Sequence, residues 1–415
     1  MKHLLLFVIC LQSLSLNAQT FSELLQEGKD QIKIQRNLHA GEVNDYSKAI
    51  KILTETVRLE PNNAEAHYFL GSAYDYNGNP DATTLKEVNK ANSILVSSEF
   101  EKVIQLSPKY TGEIISLDPY TKLSSVWGCL GYAYLVAGRT DSAKWAFSEG
   151  KRRGGFSDFT LFYYRQMLLS CPKNTIMFTY GDLSTMTTWY LQTMEHVRPD
   201  ITIANISMMQ IPWYNVFLFK NDPTLFSSMA AAADTNTYRL WNEKTASVTD
   251  KKTGKKLTWH IPSRDNSGYL YLADFALLDI IKHNQFNRSI HFELGAASES
   301  MIGLDDHVKD CLYSGQLTTE VKPPKDKQLI DALNVFPMEM IKLVNPNSDI
   351  ELVNVKTIQI EFLKGVYKLY MDKKKAEAKK LYTALSKGIP ESQYPYGDTL
   401  MEQYARYYDQ EFLGK

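Results

Sequence analysis

The segment WGCLGYAYLVAGRTDSAKWAF (127–147) has the apolar spacing of two short helices that pack against each other. In its first half, large apolar residues and one glycine recur three and four positions apart, so they share one helix face. They are Trp127, Leu130, Gly131 and Tyr134. In its second half, the small Ala143 precedes the large Phe147. A glycine opposite such a pair lets two helices approach closely, and we therefore predict a helical hairpin here.

The same spacing resembles the tetratricopeptide repeat, a helical hairpin of about 34 residues with the pattern W-x2-L-G-x2-Y followed by A-x3-F. Upstream, the first-helix pattern recurs with histidine in place of tryptophan, at His67, Leu70, Gly71 and Tyr74. Ala49, Leu53 and Pro61 match the end of a further unit. Such hairpins stack in groups of at least about three. The resemblance implies repeats over 19–157, an insertion at 110–123, and a binding groove on the first helices.

The first residues indicate export. MKHLLLFVICLQSLSLNAQT (1–20) has a basic start, a short apolar run and a small residue at Ala18, which is typical of a secretory signal peptide. The run is shorter than the roughly 20 apolar residues that a membrane span needs. We predict a signal peptide at 1–18 and a periplasmic or envelope-associated mature chain with no transmembrane span.

Composition argues against several classes of function. The 46 basic and 47 acidic residues give a net charge of −1, so no nucleic-acid partner is expected. Neither a metal motif nor a GxGxxG sequence is present, so we expect no metal and no cofactor. Cys129, Cys171 and Cys311 follow the predicted signal peptide. Small buried side chains are the favoured interpretation, and a Cys171–Cys311 disulfide is the alternative.

Beyond the repeats, short β-rich runs alternate with helical patterns. The runs are TIMFTYGD (175–182), ITIANISMM (201–209), RSIHFELG (288–295) and QLTTEVKP (316–323). This alternation favours a mainly parallel sheet. We predict an α/β module at 158–325, with a β-hairpin in its polar stretch 222–268, and a helical region with a repeat-like hairpin at 326–415. The predicted fold class is α + α/β.

The string GDLSTMTTWYLQTMEHVRPDITIANISMMQIPWY (181–214) is similar to the soluble C-terminal region of a Bacteroidota family of multi-spanning membrane proteins. That family is related to membrane protein O-mannosyltransferases. It carries a G-D-N-D-T-F-P-L-W-Y-L-Q stretch, an R-x-D-V strand, an N-L-S segment and a W-Y pair. The matching positions are Gly181, Asp182, Thr185, Trp189, Tyr190, Leu191, Gln192, Arg198, Asp200, Asn205, Ser207, Trp213 and Tyr214.

The sequence also departs from that family. Leu183, Ser184 and Thr187 replace its asparagine, its second acidic residue and its proline. The multi-spanning part, which handles the lipid-linked sugar donor in the related transferases, has no counterpart in this sequence. The resemblance therefore implies a soluble module that does not itself transfer sugars.

Polar residues follow the first predicted strand. Asp182, Ser184 and Thr185 would lie at its carboxyl end, where open α/β sheets bind ligands. They would form a polar rim for a sugar or a peptide. The alternative, which we favour, is that Asp182 or Ser184 caps the next helix.

Further candidate ligand-binding residues are three aromatic residues and two arginines. They are Trp189, Trp213, Tyr214, Arg198 and Arg288. The aromatic rings would either line a glycan-stacking surface or, as we favour, pack helices on the sheet. Arg198 would pair with Asp200 to hold a turn, and no residue is indicated as catalytic.

Three functions are consistent with these patterns. The leading hypothesis is an exported recognition or adaptor protein of the cell envelope, which binds a protein or peptide partner and has no catalytic activity. The second is an accessory module of envelope O-glycosylation that recognises an acceptor or a glycan. The third is a periplasmic enzyme that acts on a glycan or a peptide.

Overall fold

The computed structural model describes residues 19–37, 44–79, 82–242, 244–264, 267–294, 298–321 and 327–414. The predicted signal peptide at 1–18 lies outside these residues. The chain divides into two compact units, unit 1 (Met1–Lys122) and unit 2 (Leu123–Lys415). The boundaries predicted near 157 and 325 both fall within unit 2.

Unit 1 is built from paired helices. They are α1 Phe21–Arg36, α2 Ser47–Leu59, α3 Ala64–Gly78 and α4 Lys90–Leu106, with a short 3-10 helix at Ala82–Glu87. Helix α1 packs on α2, α3 packs on α4, and α2 packs on α3. Three helices begin at capping residues, because Thr20, Asn63 and Asn89 each accept a hydrogen bond from a first-turn N–H. The result is two stacked helical hairpins.

The second hairpin shows why glycine and histidine occupy their positions. A Cβ atom on Gly71 would lie 3.0 Å from Cβ of Glu99 and 3.2 Å from the Phe100 ring. His67 is buried, with Nδ1 2.6 Å from Glu99 Oε2 and Nε2 3.0 Å from the Pro61 carbonyl oxygen. Burial alone would lower the pKa of His67, but its hydrogen bonds to Glu99 and Pro61 raise that pKa above its usual value. His67 occupies the position where the repeat pattern has tryptophan, and its polar contact with Glu99 joins α3 to α4.

The hairpin predicted from 127–147 is formed by two further helices. They are α5 Pro119–Val136, which begins in unit 1 and ends in unit 2, and α6 Thr140–Arg152. A Cβ atom on Gly131 would lie 2.8 Å from the Phe147 ring, so the two helices touch at this glycine. All positions of the pattern except the partly exposed Tyr134 are buried, namely Trp127, Leu130, Gly131, Ala143 and Phe147. The helical-hairpin prediction is confirmed.

Unit 2 continues with alternating helices and strands. They are α7 Asp158–Ser170, β1 Ile176–Thr179, α8 Asp182–Met194, β2 Thr202–Asn205, α9 Pro212–Asn221, α10 Met229–Ala232, β3 Tyr238–Leu240, β4 Thr245–Thr249, β5 Lys256–His260, β6 Tyr269–Tyr271, α11 Leu272–Asn284, β7 Ile290–Glu293, β8 Val308–Asp310 and β9 Ser314–Leu317. Short 3-10 helices lie between several of them. The α + α/β fold class is confirmed.

Five strands form one mixed sheet in the order β2-β1-β7-β9-β8. Strand β1 pairs in parallel with β2 and β7, and β9 pairs antiparallel with β7 and β8. Every residue of β1 is buried, which explains its continuous apolar run. The strand predicted at 316–323 is displaced, because the chain turns back at Tyr313 and β9 pairs with β7 from Ser314 onward.

The polar stretch 222–268 contains the predicted β-hairpin. Strands β4 and β5 pair antiparallel, with Thr245 opposite His260 and Thr249 opposite Lys256. Alternate residues of both strands are buried, as a half-covered hairpin requires. This prediction is confirmed.

Helices return at the end of the chain. They are α12 Lys327–Asn334, α13 Asp349–Met371, α14 Lys375–Gly388 and α15 Thr399–Tyr408. Helices α13 and α14 form the predicted C-terminal hairpin, and a Cβ atom on Gly365 would lie 3.2 Å from the Leu381 side chain. Within the described ranges, no helix combines the length and the hydropathy needed to span a membrane.

Candidate functional site

The carboxyl ends of three parallel strands meet at one edge of the sheet. The chain passes from β1 through α8 to β2 on one side, and later returns to β7 on the other side of β1. The edge between β1 and β7 is therefore a topological switch point, the usual place for a ligand in an open α/β sheet. The residues at this edge are Gly181, Asn205 and Glu293.

Thr185 is the centre of a buried hydrogen-bond network at this edge. Its Oγ1 donates to the Gly181 carbonyl oxygen at 2.7 Å. It lies 2.7 Å from the Asn205 amide nitrogen and 2.8 Å from Thr179 Oγ1. The backbone N–H of Asn205 donates to the Tyr214 hydroxyl at 2.8 Å. Thr185 and Tyr214 therefore join the first two strands to their following helices.

We expect Thr185→Val to lower the free energy of unfolding by about 1–3 kcal/mol, because it leaves the buried Asn205 amide short of an acceptor. Thr187→Val is the matched control on the same helix. Thr187 is fully buried, and its hydroxyl has no hydrogen-bond partner among the described residues, so this change should be neutral or stabilising. Urea denaturation of both variants measures the difference. Equal losses of unfolding free energy in the two variants would show that the hydrogen bonds of Thr185 do not stabilise the fold.

Glu293, at the end of β7, was not among the predicted site residues. Its Oε2 accepts a hydrogen bond from the Tyr180 N–H at 2.8 Å and another from the Ser184 hydroxyl at 2.6 Å. The carboxyl group lies deep in unit 2 although the side chain remains partly accessible to solvent. Burial raises the pKa of Glu293, against the effect of these hydrogen bonds. The only signal in the sequence was an acidic residue at the end of a predicted strand.

The predicted polar rim is mostly enclosed. Ser184 is 1% exposed and donates to the Gly181 carbonyl oxygen as well as to Glu293. Asp182 alone is exposed, and its Oδ2 accepts a hydrogen bond from the Ser125 hydroxyl at 2.9 Å. Neither side chain caps α8, because Gly181 occupies the capping position and has no side chain that could accept a hydrogen bond. The hydroxyl groups thus hold the strand-to-helix turn.

Two of the three candidate aromatic residues are internal. Trp189 is 6% exposed and stacks on Tyr132, with ring centroids 3.6 Å apart and planes 7° apart. Tyr214 is fully buried. Trp213 is half-buried and contacts the Tyr214 ring edge-on at 6.1 Å. Of the three rings, Trp213 is the one with substantial exposure.

The two candidate arginines lie at the opposite, amino end of the strands. Arg198 pairs with Asp200 at 2.8 Å, and also donates to the carbonyl oxygens of Leu168, Cys171 and Pro172. The hydrogen bonds from Arg198 hold the pKa of Asp200 well below its usual range. The predicted turn-holding pair is therefore formed.

Arg288 is buried and clamps the starts of three strands. It donates to the Asn174 carbonyl oxygen before β1, to Thr202 at the start of β2, and to Asp222 at the end of α9. The candidate residues therefore do not converge on one pocket. Ser184, Thr185 and Tyr214 lie near the carboxyl edge, whereas both arginines lie at the amino end.

His291, Cys129 and Cys171 are internal groups of unit 2, and Cys311 is partly exposed. His291 is 2% exposed with Nδ1 2.9 Å from the Ser314 hydroxyl, and burial lowers its pKa to about 4. Cys129, Cys171 and Cys311 form no disulfide among the described residues, so the alternative Cys171–Cys311 disulfide is not present. Across the described ranges, no group of three His, Cys, Asp or Glu side chains could hold a metal ion.

A second candidate surface lies on unit 1, on the first helices of the two hairpins. Lys29, Lys33 and Arg36 share one side of α1, because they are four and three residues apart. Helix α3 adds Glu65 and Tyr68 to the same side, where Lys29 pairs with Glu65, and both Lys29 and Tyr68 are buried. We call these five residues the first-helix face.

A groove of about 450 Å³ lies between α13 and α15 in unit 2. Tyrosines from both helices line it, and the hydroxyl oxygens of Tyr370 and Tyr407 are 2.7 Å apart. Tyr407 is 46% exposed. The groove is apolar and aromatic, in contrast to the charged first-helix face.

Part of the chain is similar to one known protein family. The fold defines an α + α/β protein with helical hairpins and a mixed sheet. A family model described as TMEM260-associated domain 2 matches residues 163–222. The matched segment runs from α7 through β1, α8 and β2 to the end of α9. No curated protein is significantly similar to the chain.

Proposed function

We propose that this chain is an exported recognition protein of the cell envelope, which binds a protein or peptide partner and catalyses no reaction itself. The observation that carries the proposal is the first-helix face. Three cationic side chains from α1 and the buried ring of Tyr68 from α3 lie on one side of the stacked hairpins. Export rests on the signal-peptide pattern at 1–18, and a tetratricopeptide nature of the hairpins rests on their residue spacing.

The polar residues of the sheet edge support a role without catalysis. Ser184 and Thr185 are enclosed and already hydrogen-bonded, so neither offers a free nucleophile. Glu293 is held by Tyr180 and Ser184. These internal hydrogen bonds explain why polar residues occupy the sheet edge, and no bound substrate is needed to explain them.

Capture of partners from native envelope extract by the full-length protein, followed by mass spectrometry, tests the proposal. We expect Lys33→Glu combined with Arg36→Glu to reduce capture of the bound partners by at least about tenfold, equivalent to about 1.4 kcal/mol. The control is Lys368→Glu combined with Arg406→Glu, which makes the same charge change on α13 and α15 and should leave capture unchanged. Unchanged capture by the first variant would overturn the proposal.

The second candidate function is an accessory module of envelope O-glycosylation that recognises an acceptor or a glycan. The match of 163–222 to TMEM260-associated domain 2 favours it. So does the half-buried Trp213, since an accessible indole can stack on a sugar ring. Two results together would favour this function over the first. The protein would bind a glycan and lose that binding in Trp213→Ala, and the Lys33 and Arg36 variant would still capture the native partners.

A further inference from the structure

We infer that residues 110–117 are a built-in occupant of the first-helix face, and that the external partner is an extended acidic peptide which replaces them. This inference rests on the proposed function and names its ligand class and its regulation. The segment joins α4 to α5 and forms neither a regular helix nor a strand. We call it the crossing segment.

The first-helix face holds the backbone of the crossing segment. The Arg36 guanidinium donates to the Ile115 carbonyl oxygen at 2.6 Å, and the Tyr68 hydroxyl donates to the Leu117 carbonyl oxygen at 3.0 Å. The Ile115 N–H in turn donates to the Tyr68 hydroxyl at 3.2 Å. Every peptide carries these backbone groups, so another extended chain could make the same contacts.

The charge of the face selects an acidic occupant. The Glu113 carboxylate is 2.9 Å from Lys33 Nζ and 3.4 Å from Lys29 Nζ. The hydrogen bond from Lys33 lowers the pKa of Glu113. Glu65 of α3 pairs with Lys29 and the nearby Asp30 acts on Lys33, and Glu113 is the carboxylate that the crossing segment brings to both lysines. A replacing peptide therefore needs a carboxylate at the position of Glu113.

One aromatic residue anchors the crossing segment. The Tyr110 ring stacks on Tyr68, with centroids 4.9 Å apart and planes 15° apart. Tyr110 is buried, whereas Glu113, Ile114 and Ser116 are exposed. A surface segment with one buried anchor and no regular structure opens at a lower free energy than the helices beneath it. The segment can thus leave while the hairpins stay folded.

The test uses a fluorescent synthetic peptide with the sequence of residues 108–118, PKYTGEIISLD, added to the full-length protein. In the wild-type protein, the tethered segment competes at an effective concentration of about 1 mM. Tyr110→Ala combined with Glu113→Gln weakens that competitor. We expect this double variant to bind the peptide at least about tenfold more tightly than the wild-type protein does.

Three further measurements define the outcome. A peptide with lysine in place of the glutamate should bind the double variant at least about tenfold more weakly. Glu113→Gln alone changes an exposed side chain, and it should give an intermediate affinity with an unchanged melting temperature. Tyr407→Ala, in the groove between α13 and α15, should leave peptide affinity unchanged. Equal peptide binding by the wild-type and double-variant proteins, or equal binding of both peptides, overturns the inference.

The two proposals fail in different ways. In the first case, native partners are lost on changing Lys33 and Arg36, but the wild-type protein and the double variant bind the synthetic peptide equally. This result would overturn the built-in occupant and leave the recognition function intact. Native partners captured equally by the Lys33 and Arg36 variant would overturn the recognition function, whatever the synthetic peptide does.

Discussion

Replacing Arg288 with methionine should lower the free energy of unfolding by about 3–5 kcal/mol, because it leaves a half-buried carboxylate without its cation. Arg288 Nη1 lies 2.5 Å from Asp222 Oδ2, and Nη2 lies 2.6 Å from Thr202 Oγ1. Burial alone would raise the pKa of Asp222, but hydrogen bonds from Thr202, Thr224 and Arg288 lower it. Thr202, Thr224 and Arg288 therefore stabilise the charged carboxylate together, and Arg288 supplies the positive charge.

Arg152→Met is the matched control for this change. Arg152 is exposed on α6 and pairs with Glu149 one helix turn away. Such a surface pair contributes less than about 1 kcal/mol. Chemical denaturation of both variants gives the comparison. If Arg288→Met lowered the free energy of unfolding by no more than the control does, Arg288 would be available for ligand binding and its role as a clamp would be wrong.

Replacing Trp189 with alanine should also cost about 3–5 kcal/mol, the range for a large aromatic side chain lost from a core. Trp189 is 6% exposed, and its ring lies 3.6 Å from that of Tyr132. Tyr132 is itself buried, so the change opens a cavity between α5 and α8 within unit 2. The expected readout is a lower midpoint in both thermal and urea denaturation.

Trp213→Ala separates packing from ligand binding. Trp213 is half-buried, so its removal should cost less than about 2 kcal/mol of unfolding free energy. Binding of soluble glycans to both variants, measured by titration calorimetry, completes the test. A stable Trp189→Ala protein that had lost glycan binding would show that Trp189 forms a binding surface after all.

The helical hairpins were predictable because their contacts are local. Gly131 and Phe147 belong to adjoining helices, and their pairing follows from helix periodicity and a short turn. The strands β1, β2 and β7 were also predictable, since buried parallel strands are continuous apolar runs. The position of β9 was not, because pairing with β7 determines where that strand begins.

The candidate site was only partly predictable. Thr185 and Asn205 lie in the segment 181–214, and the structure joins them by a hydrogen bond. Glu293 reaches the same edge from more than 100 residues further along the chain, and its contact with Ser184 depends on strand order. Arg288 looked like an isolated basic residue because its partner Asp222 is 66 residues away in sequence.

Local patterns in the sequence were sufficient to predict the helical hairpins, the glycine contacts between them and the alternation of strands and helices, because such patterns repeat over a few residues. The packing within each unit determines which candidate residues are exposed. It places Ser184 and Trp189 inside unit 2. It also lays residues 110–117 across the first-helix face of unit 1. Burial and long-range pairing depend on how elements pack, and the residue pattern within one element does not specify its neighbours.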